Sequence, residues 1–479
     1  MYIISLIKYR IRSIILCITP LWLAACQSFS ISTPDQYVEL PDKLAQLQEN
    51  LKQTHQQVPS WSAFVKDDTL QTFITKALTS NGELQQIRLN TDIAAESLNS
   101  QKREIYWPDL FLEFEGRRIG GDNIETENTF ELGAQLSYEL NIWGQLSDAN
   151  RLAAYNYAVA QADFMEAKQD IVFFVITSWY DALAQIQLEQ LFEKRVKNQR
   201  ENLQSIESRY KAGLTSALDV YLARNDVEQE KSNLSQQSIT TLEAKRALQV
   251  LVQEYPNADE ISELLNQFSP RAKKGELLNG IDINDFFDAI LPAKMLARSP
   301  QLQSSWLSLL AQNAQLAISH KARFPSFSID LNVNQRSDRL SQLIDAGQFS
   351  WSIGASILQP LLNSGDLLEA ENINRLELKQ AETSYIDTVY EVFEVIENAL
   401  DNRQALKEQW DFTLSAARNA SFAEELAHNQ YEKGLIEYTT VLESQRRNFD
   451  AQASLITLRQ AIQTNTALLL REFVADIDI

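Results

Sequence analysis

Two tracts of this 479-residue chain run for 68 residues each without a glycine or a proline, one between Gly144 and Gly213 and one between Gly365 and Gly434. Glycine and proline are the strongest helix breakers, and both tracts are rich in Ala, Leu, Glu, Gln and Arg. Apolar positions fall at steps of three and four, as in Ala160, Phe164, Ala167, Ile171 and Phe174, and again in Tyr385, Val389, Val392, Ile396 and Ala399. At the α-helical rise each tract predicts a helix of about 100 Å, far longer than an ordinary globular helix. A further glycine-free tract follows each turn, Leu214–Tyr255 and Leu435–Ile479. Each turn therefore closes an antiparallel helical hairpin, with glycine supplying the positive φ that ends a helix. The stripes hold many alanines and aromatics and no sustained Leu/Ile seam, which argues against an ordinary soluble coiled coil.

The two tracts belong to a larger echo. Tyr210, Gly213, Leu214 and Val220 recur as Tyr431, Gly434, Leu435 and Val441, all 221 residues later. Trp107-Pro108 answers Phe324-Pro325, Gly133 answers Gly354, and "NGEL" (Asn81 to Leu84) answers "SPQL" (Ser299 to Leu302). A common order and a nearly common offset mark two tandem repeats, placed at 68–255 and 300–473. Each contains one segment of period two. Phe130, Leu132, Ala134, Leu136, Tyr138 and Leu140 alternate with polar residues or glycine, as do Phe349, Trp351, Ile353, Ala355 and Ile357. With the partners Leu110, Leu112 and Phe114, and Phe327, Ile329, Leu331 and Val333, they predict β-hairpins over 108–140 and 325–358, with polar tips near 119–128 and 337–346. The long helices are expected over 145–252 and 366–473. Aromatics at the strand ends (Trp107, Tyr138, Trp143, Phe324, Phe349, Trp351) suit a membrane interface. Four strands with one apolar face cannot rest in a bilayer with open edges; three copies would supply twelve strands and close a barrel.

Residues 1–25 carry Lys8, Arg10 and Arg12 ahead of an apolar run from Ser13 to Ala25. That run is too short to span a membrane and suits an export signal. It ends in "LAAC" (Leu23 to Cys26), which resembles a bacterial lipoprotein signal. The resemblance implies cleavage before Cys26, acylation of that residue, and sorting to the outer membrane. The remaining chain has 40 basic against 64 acidic residues, net −24. Such acidity argues against nucleic acid as a partner. With Cys17 removed and Cys26 lipidated, no disulfide framework remains. His55, His320 and His428 lie too far apart in sequence for metal-ligand spacing. No nucleophile, nucleotide-binding or acid–base motif is present, so the chain reads as no enzyme, with no cofactor beyond the lipid on Cys26.

Taken together, "LAAC", Pro108 and Pro325 at the strand starts, the paired 68-residue helices and the paired Y-x-x-G-L turns resemble the TolC-like outer-membrane efflux channels, in particular their lipid-anchored branch. The resemblance covers essentially all of 26–479. It implies a mainly α fold with a transmembrane β-barrel portion, a homotrimer whose twelve-stranded barrel stands on an α-helical periplasmic tunnel. It also implies a passive exit duct of a tripartite system for drugs or other small toxic compounds. The expected partners are a periplasmic adaptor, an inner-membrane pump of the RND, ABC or MFS class, and outer-membrane lipid. Residues 26–67 would form an extended lead from the anchor, 256–299 an equatorial collar, and 474–479 a tail. By position, Thr440 and Glu443 would face the pore at the periplasmic mouth, Glu443 favouring cations. Asp219 would hydrogen-bond Tyr431 to hold hairpins closed, and the tips Gly213, Leu214, Gly434 and Leu435 would dock the adaptor. The competing readings are the duct of a peptide or protein exporter (type I secretion) and a non-pore periplasmic structural lipoprotein.

Overall fold

The computed structural model describes residues 67–122, 124–259, 299–343, 349–361 and 364–473, together with Trp61, Val65, Ile261, Ser262 and Leu265. All belong to one compact unit spanning Asn50–Ile479. Cys26, the lead 26–60, most of the 256–299 linker and the tail 474–479 lie outside the described residues.

Two short helices open the fold, α1 (Asp68–Ser80) and α2 (Gly82–Tyr106). Asp67 caps α1, its carboxylate accepting from the Thr69 and Leu70 amides, and Asn81 caps α2 through the Leu84 amide. Strands β1 (Asp109–Gly121) and β2 (Ile124–Glu139) follow. The first long hairpin is α3 (Gln145–Lys211, 67 residues) with α4 (Ala217–Leu251). The plan then repeats as α5 (Pro300–Lys321), β3 (Ser326–Ser337), β4 (Phe349–Leu358), α6 (Ser364–Glu432, 69 residues) and α7 (Tyr438–Phe473).

The strands form one antiparallel sheet in the order β1-β2-β3-β4, so the inner pair joins the two repeats and β1 and β4 are its edges. Register places the side chains. Leu110, Leu136, Leu331 and Ile353 lie opposite one another, as do Leu112, Ala134, Val333 and Trp351. One face of the sheet is thus apolar across all four strands, while the other carries Glu113, Glu131, Asp330, Asn332 and Ser352. The tip expected at 119–128 is tighter than its polarity suggests. Arg117, Arg118 and Ile119 pair with Thr129, Asn128 and Glu127, and the ladder runs on to Gly121 and Ile124. Backbone pairing extends past the point where the apolar alternation stops.

The main core lies where α1 crosses the long helices. Leu70, Ile74 and Ala77 of α1 meet Val175, Ile176 and Trp179 of α3, Leu248 of α4, Ala399 of α6 and Leu469 of α7. Phe73 lies 5.3 Å from Trp179, ring centre to ring centre. The sheet is fastened to the helices by specific bonds. Tyr138 donates to the Ile105 carbonyl at 2.9 Å and Trp143 donates to the Pro325 carbonyl at 2.7 Å. Below the sheet, the last turn of α5 and the residues after it are basic and meet acidic side chains near the starts of both long helices. Lys321 pairs with buried Asp148 of α3 at 2.5 Å, and Arg151 also reaches Asp148 at 3.3 Å. Buried Glu371 of α6 receives Arg323 at 2.7 Å, Arg375 at 2.9 Å and His320 at 3.3 Å. Cations at a helix C-terminus and acids in a helix's opening turns also suit the helix dipoles.

Candidate gate at the hairpin tips

Both long hairpins turn through the same motif. The Leu214 amide donates to the Arg209 carbonyl and the Gly213 amide to Tyr210; in the second repeat Leu435 donates to Gln430 and Gly434 to Tyr431. These are the two bonds of a Schellman cap, with glycine at φ +73° in each copy. No atom stands within 4 Å of where a Cβ would lie at either glycine. Backbone conformation alone selects glycine there, not space within the chain. Gly434→Asn is therefore expected to be tolerated. Gly434→Val is expected to strain the turn by about 1–2 kcal/mol and to speed hydrogen exchange of the Leu435 amide about tenfold. Leu214 and Leu435 stand out from the tips, each more than two-thirds exposed.

The helices after the turns start differently. In the first repeat Ser216 and Asp219 form a capping box. The Asp219 carboxylate accepts from the Thr215 hydroxyl (2.6 Å), the Ser216 amide (3.0 Å) and the Ser216 hydroxyl (2.8 Å). The Thr215 hydrogen bond is the main reason it titrates below the ordinary aspartate range. At the matching places in the second repeat stand Glu437 and Thr440: the acid precedes the helix and the hydroxyl lies within it. Thr440 is exposed, and its amide donates to the Glu437 carbonyl at 3.1 Å.

The Asp219–Tyr431 bond expected from the resemblance is not formed within the chain. Asp219 is taken up by its own cap, and the Tyr431 hydroxyl is buried without a hydrogen-bond partner among the described residues. Tyr431 instead belongs to an apolar plug where the two hairpins meet, with Ile206, Val220, Ala223, Tyr438 and Val441. Its ring lies 5.6 Å from that of Tyr438 and receives the Arg209 guanidinium at 4.6 Å. Burial pushes the Tyr438 phenol well above its ordinary pKa.

Further from the tips the packing turns polar, both between the hairpins and within each of them. The Asn202 amide donates to Gln445 at 3.0 Å, Asn448 bonds Glu424, and Arg195 pairs with Glu230 at 3.0 Å while lying 4.2 Å over the Phe449 ring. A cavity of about 70 Å³ opens among Arg195, Asn198, Gln199, Glu424, Gln445 and Asn448. Sequence reading passed over this layer, because glutamines and asparagines scattered along a helix reveal no partner until the helices are paired.

Glu443 lies on α7, half exposed, and is not a bare carboxylate. Arg446 Nη2 donates to its Oε2 at 2.7 Å and Arg447 Nε to its Oε1 at 2.8 Å. The Arg447 hydrogen bond is the largest cause of its lowered pKa. The signal was present in the sequence as Glu followed by Arg at three and four residues, the spacing at which helical side chains meet.

Comparison with known proteins sets this geometry in a family. The outer membrane efflux protein family matches residues 73–252 and 291–471, both repeats and most of the chain. The chain belongs to that family. It is an outer-membrane efflux channel. Relatives of this efflux protein include the cation efflux system protein CusC of Escherichia coli K12, 24% identical over 408 residues covering 85% of this chain and 86% of CusC. Another is the probable efflux pump outer membrane protein TtgC of Pseudomonas putida KT2440, 26% identical over 411 residues covering 83% and 81% of the two chains. Among solved structures, CusC superposes with a TM-score of 0.74 at 22% identity, covering 88% of this chain and 95% of that one. The CmeC channel of Campylobacter jejuni gives 0.76 at 18% identity, covering 89% and 91%. The efflux protein thus shares their fold of long helical hairpins and strands.

Proposed function

We propose that three copies of this efflux protein join to form an outer-membrane exit duct for drugs or other small toxic compounds, fed through a periplasmic adaptor by an inner-membrane pump. The observation that carries this reading is the sheet. Its apolar face is continuous across four strands, and β1 and β4 are left as edges with exposed side chains. In a bilayer such edges must be paired, and the β4 edge of one copy meets the β1 edge of the next. The polar face then lines a water-filled lumen, and the helices continue it as a tunnel through the periplasm. At the far end Thr440 and Glu443 face the bore, while Gly213, Leu214, Gly434 and Leu435 present the six tips of a trimer to the adaptor. Asp219 supports this mouth by fixing the start of α4, and Tyr431 by packing the two hairpins together. Cys26 carries the lipid anchor.

The test uses the full chain extracted in detergent and reconstituted in planar bilayers. Trimers that dissociate only on heating and pass stepwise ionic currents support the duct. A monomer that stays soluble once Cys26→Ser removes the anchor, and passes no current, would show a structural lipoprotein without a pore.

A further inference from the structure

We infer that Arg446 and Arg447 are specificity-determining residues of the duct: they cancel the Glu443 carboxylate, so that the periplasmic mouth does not concentrate cations and admits uncharged and zwitterionic solutes on equal terms. The inference rests on the reading above that Thr440 and Glu443 face the bore. Helix α7 packs between α3 and α6, burying Tyr438, Val441, Asn448 and Leu458. Its exposed side chains include a stripe at steps of three and four, through Thr440, Arg447, Asp450, Ser454 and Thr457, with half-exposed Glu443 in register and exposed Thr439 and Arg446 beside it. Every member of that stripe is polar. A wholly polar stripe on a helix otherwise packed into a wall is what a water-filled bore requires. Arg447 lies on it, so Arg447 faces the same water as Glu443.

Each oxygen of the Glu443 carboxylate has its own guanidinium, at 2.7 and 2.8 Å. The field of a close ion pair falls off faster with distance than that of a lone charge, and salt at physiological strength shortens its reach to about 8 Å. The second guanidinium leaves one positive charge in excess, which Asp450, one turn further along the stripe, balances. Three such balanced sets around a threefold axis make no cation-concentrating ring. Two further exposed acids, Glu437 just before the helix and Glu432 in the last turn of α6, 3.4 Å from His428 Nε2, stand at the tip rather than among the arginines.

The experiment measures the K⁺:Cl⁻ permeability ratio of full-length trimers in planar bilayers under a KCl gradient. Arg446 and Arg447 are largely exposed, so their replacement leaves packing intact. The double variant Arg446→Gln/Arg447→Gln is expected to unmask Glu443 and raise the ratio at least about threefold, while Glu443→Gln lowers it by a similar factor. Glu437→Gln, the control at the tip, is expected to move it less than either. A ratio unmoved in the double variant or in Glu443→Gln, or moved most by Glu437→Gln, overturns the inference alone. Wild-type trimers that pass no current overturn the duct reading itself, and the inference with it.

Discussion

Ile353→Arg is expected to abolish assembly in the outer membrane, while Ser352→Arg, one residue away, leaves it intact. Ile353 stands in the middle of β4, opposite Leu331, on the apolar face, and two-thirds of its surface is open in the single chain. An arginine facing lipid near the middle of a barrel costs about 2–4 kcal/mol, and a trimer bears that cost three times. Ser352 points to the other face, opposite Asn332 and beside the strand that carries Asp330. An arginine there meets water and acidic neighbours. The measurement is the amount of heat-dissociable trimer in the outer-membrane fraction for each variant. Equal recovery of the two would show that the apolar face does not meet lipid.

The second large effect is expected at the collar below the sheet. Glu371 is almost fully buried and holds Arg323, Arg375 and His320 together. Removing it by Glu371→Ala strands the two arginines at the junction of α5 and α6. Breaking a fully buried ion pair costs about 3–5 kcal/mol, but the basic partners here are partly open to water. With that screening the expected loss is about 2 kcal/mol per chain, seen as a lowered temperature at which the detergent-held trimer dissociates. Glu371→Gln, which keeps hydrogen-bonding capacity without the charge, is expected to lose about half as much. A dissociation temperature unchanged in Glu371→Ala would show that the cluster is only a surface pairing.

Much of this architecture was legible in the chain itself. The helices α3 and α6 begin and end within a residue or two of Gly144, Gly213, Gly365 and Gly434, because those glycines are the only breaks that a backbone of helix formers meets for so long. The strands were legible because a sheet with one apolar and one polar face imposes an alternation of period two. What could not be read was pairing over distance. Nothing local announces that β2 pairs with β3, or that Lys321 reaches Asp148 across 173 residues. At the tips the difficulty was of another kind. Asp219 stands three residues after Ser216, a spacing that already spells a capping box, and Glu443 stands three and four before two arginines. In both cases local hydrogen bonding claims a carboxylate that the resemblance had reserved for a longer-range task. Tyr431 lies in the last turn of α6, and its hydroxyl faces an apolar plug instead of Asp219.

The ladder between β2 and β3, from Phe130–Ser337 to Glu139–Ser328, has a bearing on the origin of the molecule. A single half of this chain, with two strands and one helical hairpin, would present the same open edges as the whole. Two-stranded ribbons are marginal by themselves, so a half-length chain would need six copies to close the ring that the proposed trimer closes with three. Fusion of two such genes would have converted a contact between strangers into the inner pair of one sheet, replacing an encounter between molecules by the milder entropy of closing a loop. Once joined, the halves no longer had to be identical, and the Ser216/Asp219 start of one helix could part from the Glu437/Thr440 start of the other.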